Sequence, residues 1–410
     1  MLKLDPVATL ALAGAVLFGG YGIRRLIPPL ARYNVPAPVV GGLVVALLLT
    51  LARANGITLL ELQPVTRDPL MIAFFTTVGF GASVSLLKIG GPQVILFFAI
   101  STVFAFLQNV VGALVALPFG LHPLFGVLAG SVTLTGGPAT GLAFAPLFEQ
   151  AGVPGAATVA VAAAMFGIVA GGLIGGPIGT ALVERNKRRA ASRSAAAPPD
   201  PPLASAFLPG PAPEPPPPAD EDAEAFSLLK ALCAILVAMA VGAWVSRGFA
   251  ALGLTLPAYI GAMLVAAVLR NLDDLTGALR LSQRTIDDIG NVALSLFLAM
   301  ALTTLKLWEL AGLALPLIAI LVAQVALIAI SCWGIFRLMG RDYDAAVMSA
   351  GFCGFMLGTT ANAMANMKAL CERYGAAPRA FLVVPMVGAF FIDFTNALLV
   401  TGCLNLLRGW

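Results

Sequence analysis

The sequence predicts an all-α polytopic membrane protein: ten transmembrane helices plus two re-entrant hairpins, arranged as two inverted-topology five-helix repeats. Three observations lead to this. Apolar residues come in runs of about twenty, the length that crosses a hydrocarbon core roughly 30 Å thick. Two further apolar segments are too short for a double crossing, and each breaks at glycine and threonine. The stretches on either side of a charged, proline-rich segment repeat one another's motifs in the same order.

Composition supports the first observation. Hydrophobic residues make up 59% of the chain, charged residues 11%, and mean hydropathy is +0.95. A soluble protein of this size needs more polar surface to face water. Lipid offers the backbone no hydrogen-bond partners, so the spans are helices. The runs are continuous rather than alternating, which excludes a membrane β-barrel. The five cysteines form no CxxC pair, and the single histidine, His122, makes a zinc enzyme untenable. The first apolar run, 7–26, is expected to be retained rather than cleaved, because Lys3 and Asp5 precede it and Arg24 and Arg25 follow it.

In chain order, spans are expected near 7–26, 36–53, 68–87, 92–117 and 155–183. A second set follows near 226–247, 254–271, 287–307, 313–337 and 378–406. Residues 1–183 then form an N-terminal repeat and 226–410 a C-terminal one. Between them, 184–225 opens with Arg185, Lys187, Arg188, Arg189 and Arg193, passes through prolines at 215–218, and continues with Asp220, Glu221 and Asp222. Such a composition cannot bury a core and reads as a flexible cytoplasmic linker. The short apolar segments are 124–150 and 344–372. About 27 residues make two half-helices of roughly 18 Å each at 1.5 Å per residue, which reach midway into a bilayer and return. The alternative at this stage is one long tilted helix with a kink.

Lysine and arginine placement sets the orientation. With the linker in the cytoplasm, 18 of the 24 basic side chains fall inside, and both termini lie in the periplasm. The repeat is visible in Val35-Pro36-Ala37-Pro38 against Leu256-Pro257-Ala258-Tyr259, and in Leu128-Ala129-Gly130 against Ser349-Ala350-Gly351. Five crossings per half is odd, so the second half enters the membrane inverted. That is the plan of secondary transporters, whose site lies where broken helices meet at the midplane.

A half-helix that starts in mid-membrane presents free N–H groups and a partial positive charge, which attract a carboxylate. The expected substrate-binding residues are therefore at and beside the hairpin tips: Ser131, Thr135, Gly136, Gly137 and Thr140 in the first, and Gly358, Thr359, Thr360, Asn362 and Asn366 in the second. Glycine lets the backbone bend and approach a ligand; threonine and asparagine add neutral donors and acceptors. The competing reading is that these small and polar residues pack helices together. Asp393 lies well inside the last span, where a carboxylate costs about 2.5–3.5 kcal/mol on insertion scales. With Asn396, one turn on, and the adjacent amides Gln108 and Asn109, it makes a candidate set of cation ligands; the competing reading is a buried ion pair for Asp393 and helix–helix contacts for the amides. Asn291 and Gln324 are further polar groups at depth, and Lys368 is the nearest basic residue in sequence to a tip. Neither the constellation of an intramembrane enzyme nor the charge rings or filter motif of a channel is evident.

These residues resemble the bacterial sodium/glutamate symporter family. The resemblance is carried by residues 36–43, by Arg67-Asp68-Pro69-Leu70-Met71, by Gly136-Gly137, by residues 291–302, by Ala365-Asn366-Met367 and by residues 383–393. It covers nearly the whole chain apart from the linker. It implies sodium-coupled uptake of glutamate or a similar acidic amino acid across the inner membrane, with sodium as coupling ion and no other cofactor. It also implies a homodimer, lipid as the surrounding partner and no nucleic acid, and elevator-type movement of a substrate-carrying domain. A cation-coupled symporter of a dicarboxylate or hydroxycarboxylate is the alternative. The departures fall at the tips: Pro138 and Ala139 stand where the family has histidine and glycine, Phe352 precedes Cys353 in place of histidine, and Met356 and Ala361 replace glycine and proline.

Overall fold

The computed structural model describes residues 2–55, 60–61, 64–89, 91–194, 221–251, 258–310, 312–407 and 409. The centre of the expected linker, 195–220, lies outside them. The first half contains α1 (Pro6–Leu26), α2 (Pro28–Arg32), α3 (Ala37–Ala54), α4 (Arg67–Gly81), α5 (Val84–Ile89), α6 (Gly91–Ala116), α7 (Pro123–Val127), α8 (Gly137–Gln150) and α9 (Ala156–Ser194). The second contains α10 (Glu221–Ala251), α11 (Ala258–Thr276), α12 (Gln283–Thr303), α13 (Ala314–Leu338), α14 (Tyr343–Leu357), α15 (Thr360–Tyr374), α16 (Pro378–Met386) and α17 (Ile392–Leu407). The only β-structure among the described residues is a two-residue parallel pairing of Leu2–Lys3 with Leu60–Glu61.

Local chemistry starts these helices where the sequence allows. Proline occupies the first turn of α1, α7, α8 and α16, where its missing N–H costs nothing. Asp5, Ser282, Asp342 and Thr359 cap α1, α12, α14 and α15 by accepting a backbone N–H. His122 has the same role, its Nδ1 accepting from Leu124 N at 3.2 Å at the start of the first hairpin.

Among the described residues seven helical stretches are long and apolar enough to cross a membrane, and α16 with α17, bent by 40° at their junction, makes an eighth if the pair is one span. At the positions of the expected spans near 68–87 and 254–271, α4 and α11 fall short. α4 stops at Gly81, 15 residues long, and turns at Ala82 and Ser83 before α5. α11 carries Arg270, Asp273 and Asp274 within its length. The two defects face each other. Asn271 accepts from Val84 N at 2.9 Å and donates to Ala82 O at 2.9 Å, bridging the break, and Asp274 accepts from the Ser83 hydroxyl. Beyond the apolar part of α11, burial raises the Asp273 pKa, but three backbone N–H groups and Arg270 outweigh it and hold it below the usual value. The N–H groups are those of Leu279, Arg280 and Leu281, at 2.7, 2.9 and 2.9 Å. They pin a tight turn in which Arg280 takes a φ of +47°.

The helices sort into two bundles. α1, α3, α4, α10, α11 and α12 pack on one another; α6 to α9 and α13 to α17 form the second group. Each bundle thus draws from both halves of the chain. The basic residues at the start of the expected linker lie on the continuation of α9. In the second bundle, α14 and α15 fold back on each other as a hairpin. In the other hairpin the incoming limb breaks earlier than the sequence suggested: Gly130 has non-helical backbone angles (φ −97°, ψ −130°) inside a widened turn, 128–132. That limb lies directly on α6 because Gly112 and Gly126 meet backbone to backbone, leaving no room for a Cβ on either.

Candidate functional site

Both hairpin tips open into one cavity of about 540 Å³ between the two bundles. Thr135, Gly136 and Gly137 line it from the first hairpin, and Gly358, Thr359 and Thr360 from the second. Asp393 enters from the first turn of α17, and Arg24, Asn291 and Ser295 from the other bundle.

At the first tip, Thr135 N and Gly136 N both donate to Ser131 O, at 3.2 and 2.9 Å. Gly137 follows with φ +69°, a left-handed angle that suits glycine, and α8 begins with no side-chain cap. Its first-turn N–H groups therefore face the cavity, less the one Pro138 lacks. At the second tip, Thr359 caps Asn362 N at 3.3 Å, leaving the earlier N–H groups of α15 available. The Thr360 hydroxyl donates to Gly388 O at 2.7 Å and ties this tip to the widened turn, 387–391, ahead of α17. Two helix N-termini, each with its partial positive charge, thus converge on one space.

Behind the tips lies a layer of fully buried amides. Gln108 on α6 joins the hairpins: its Oε1 accepts from the Thr135 hydroxyl at 2.7 Å and its Nε2 donates to Met356 O at 2.8 Å. Gln324 donates to Gln108 O at 2.6 Å. Asn109 Oδ1 accepts from both the N–H and the hydroxyl of Ser131, at 3.1 and 2.8 Å. Asn396 Nδ2 donates to Ser131 O at 2.9 Å, and Asn362 Nδ2 to Ile168 O at 2.6 Å. Asn366 Nδ2 donates to Gly171 O and Ala350 O at 3.0 and 3.3 Å. Because a carbonyl can only accept, these contacts fix which way each amide points. The opposite oxygens of Asn396, Asn362 and Gln324 are buried with no hydrogen-bond partner. Buried polar atoms are rarely left so, and an unmet acceptor is a place for a cation or a donor.

The structure thus divides the residues singled out from sequence. Thr135, Gly136, Gly137, Gly358, Thr359, Thr360 and Asp393 line the cavity. Ser131, Thr140, Asn362, Asn366, Asn396, Gln108 and Asn109 sit behind its wall, buried. Gln108 and Asn109 have their oxygens engaged as braces. Lys368 is exposed and does not line the cavity; the basic side chain that does is Arg24. In the sequence Arg24 reads as a topological charge at the end of a span, because nothing there shows the direction α1 turns it.

The family model described as sodium/glutamate symporter matches residues 2–376. A sodium/glutamate symporter of Escherichia coli (strain K12) is 42% identical over 402 residues, covering 98% of this chain and 97% of that one. The protein of the same description from Haemophilus influenzae (strain ATCC 51907 / DSM 11121 / KW20 / Rd) is 39% identical over 394 residues, covering 96% and 95%.

Proposed function

The chain belongs to the sodium/glutamate symporter family, and on that premise we propose that it imports glutamate, or a closely similar acidic amino acid, at the cavity between the hairpin tips. It is a multi-pass transporter of the bacterial inner membrane, not an enzyme, and sodium is its coupling ion. The observation that carries the substrate reading is the convergence of two uncapped or partly capped helix N-termini on one cavity. Such termini attract carboxylates without needing a fixed charge on the carrier.

Sodium is transported with the substrate, and its site should offer hard oxygen atoms shielded from water. The unpaired oxygens of Asn396 and Asn362 have that character, the first beside one hairpin and the second within the other. Gln108 and Asn109 hold the surrounding backbone in place, with their oxygens already accepting hydrogen bonds. Glutamate carries one net negative charge, so at least two sodium ions must accompany it for the membrane potential to drive uptake. Each net positive charge then gains about 2.3 kcal/mol per 100 mV.

The remaining architecture follows the same reading. Ten crossings form two inverted five-helix halves, with α4–α5 and α11 supplying the two that are interrupted or charged. Both termini are periplasmic, the cavity opens toward the cytoplasm, and the protein works as a homodimer. The bundle of α1, α3, α4 and α10 to α12 is the static scaffold. The hairpin bundle is the carrier that moves past it. Uptake of labelled L-glutamate into proteoliposomes tests this: accumulation must require an inward sodium gradient and rise with an inside-negative potential. Uptake indifferent to sodium would end it.

A further inference from the structure

Two charged side chains of opposite sign face the cavity, and neither has a partner among the described residues. Asp393 lines it from the carrier and makes no hydrogen bond or ion pair with any described residue. Arg24 lines it from the last turn of α1 and is likewise unpaired among the described residues. A carboxylate at membrane depth is costly and is normally retained for a purpose. Each charge does sit at the favourable end of its own helix dipole, which is a sufficient structural reason for a charge to be present. That does not explain the direction in which they point. Arg25 occupies the same last turn of α1, yet it is exposed and does not line the cavity.

The charged and dipolar groups of the cavity are therefore two groups of N–H donors, one guanidinium and one carboxylate, beside neutral polar side chains such as Asn34, Asn291 and Ser295. An ion with two carboxylates leaves Asp393 unmatched, and its like charge repels that carboxylate. A neutral amino acid leaves Arg24 unmatched. An ion with two carboxylates and one ammonium matches every group. Asp393 is also set apart from the sealed amide oxygens: it faces the cavity, whereas Asn396 and Asn362 are fully buried.

Resting on the symport reading above, we propose that Asp393 receives the substrate's ammonium group while Arg24 on the scaffold receives its distal carboxylate. Together they select a zwitterionic dicarboxylate over dicarboxylates and neutral amino acids. The half of the recognition that selects for the ammonium travels with the carrier. The half contributed by Arg24 belongs to the scaffold and is left behind when the carrier moves.

The test is competition against sodium-driven uptake of labelled L-glutamate by the full chain in proteoliposomes, with glutarate (no ammonium) and L-glutamine (no distal carboxylate) as competitors. In the unsubstituted protein each should compete on the order of a hundredfold more weakly than L-glutamate, as expected of a site with a group left unpaired. Asp393→Asn should close the glutarate gap to within about tenfold, with sodium dependence unchanged. Arg24→Gln should close the glutamine gap, Arg24→Lys should restore part of it, and Arg25→Gln should leave both ratios as they were. Three results overturn the proposal: glutarate competing as well as glutamate in the unsubstituted protein, unchanged ratios in the variants, or an Asp393→Asn protein that loses its sodium dependence. The first needs no variant to fold. Absence of any sodium-driven glutamate uptake by the unsubstituted protein would instead remove the symport reading itself.

Discussion

Gln108 is the residue whose loss should be felt by both hairpins at once. Its side chain is fully buried and makes two hydrogen bonds, from the Thr135 hydroxyl at 2.7 Å and to Met356 O at 2.8 Å. Gln108→Leu keeps the volume nearly constant and removes both. Side-chain hydrogen bonds inside membrane proteins average about 0.6 kcal/mol in double-mutant cycles, with a maximum near 1.7. The variant should therefore lose about 1–3 kcal/mol. Thr135→Val removes one of the two bonds and should cost about 0.6–1.7 kcal/mol. In the double variant that bond is lost once, so the coupling energy between the two positions should fall in that same range. Reversible unfolding of the four proteins in mixed micelles measures it. A coupling below about 0.3 kcal/mol, the level at which independent sites add, would refute the assignment of Gln108 as the tie between the tips.

Three other expectations follow from individual environments. A Cβ at Gly136 would lie 2.6 Å from Thr140 Cβ and 2.7 Å from Val132 O, so Gly136→Ala should lose about 1–3 kcal/mol by overpacking and raise the KM for glutamate; unchanged unfolding and KM would contradict the tip geometry. The hydroxyl of Tyr259 is buried without a partner, with its ring stacked on Phe75 at 4.5 Å and edge-on to Phe144 at 5.4 Å. Tyr259→Phe should match or exceed the parent stability by up to about 1 kcal/mol, whereas Tyr259→Ala should lose about 3 kcal/mol or more in thermal or denaturant unfolding. The Asp273 carboxylate, held at a depressed pKa, contributes stability above the ordinary carboxylate value near 4 and loses it as pH falls through its lower folded value. Asp273→Asn should therefore be the less stable protein at pH 7, and the difference should shrink in the acid range; a gap independent of pH would show that the charge is not what the turn needs.

Segment length and turn chemistry carried much of the fold. Two apolar stretches of hairpin length, each with glycine beside threonine, leave the chain few alternatives to folding back on itself. The resulting tips are where Thr135-Gly136-Gly137 and Gly358-Thr359-Thr360 suggested. Adjacent amides at Gln108 and Asn109 stood out because an apolar run gives them no local partner. Their partners are in the hairpins and on α17, 22 to 294 residues away, and no local pattern announces them. The break at Gly130 was hidden for a related reason: Ala129-Gly130-Ser131 is also what a close helix crossing looks like. Arg24 was legible as a topological charge, but its place on the cavity wall was not. A basic residue ending a span signals topology whether it faces lipid headgroups or a cavity, and only the packing of α1 against α3 and α12 decides between them.

The distribution of polar contacts bears on how such a protein moves. The buried amides of Gln108, Asn109, Gln324, Asn362, Asn366 and Asn396 all bond to partners within the hairpin bundle. The ties of Asn271 and Asp274 lie within the other bundle. Among the described residues the contacts between the bundles are of a different kind: the edge of Phe144 against Tyr259, α8 against α12, α17 against α4 and α11, and one hydrogen bond from the Thr158 hydroxyl to Lys306 O at 3.2 Å. Displacing one bundle past the other therefore breaks few directional bonds, whereas deforming either bundle breaks many. In the proposed inverted repeat Pro38 and Tyr259 take corresponding positions, yet Pro38 lines the open cavity while Tyr259 is sealed in an aromatic stack. On that proposed plan, one side of the site is open while the other is shut. Exchanging those environments by a rigid shift of the hairpin bundle would carry the tips, Asp393 and the amide oxygens together from one face to the other.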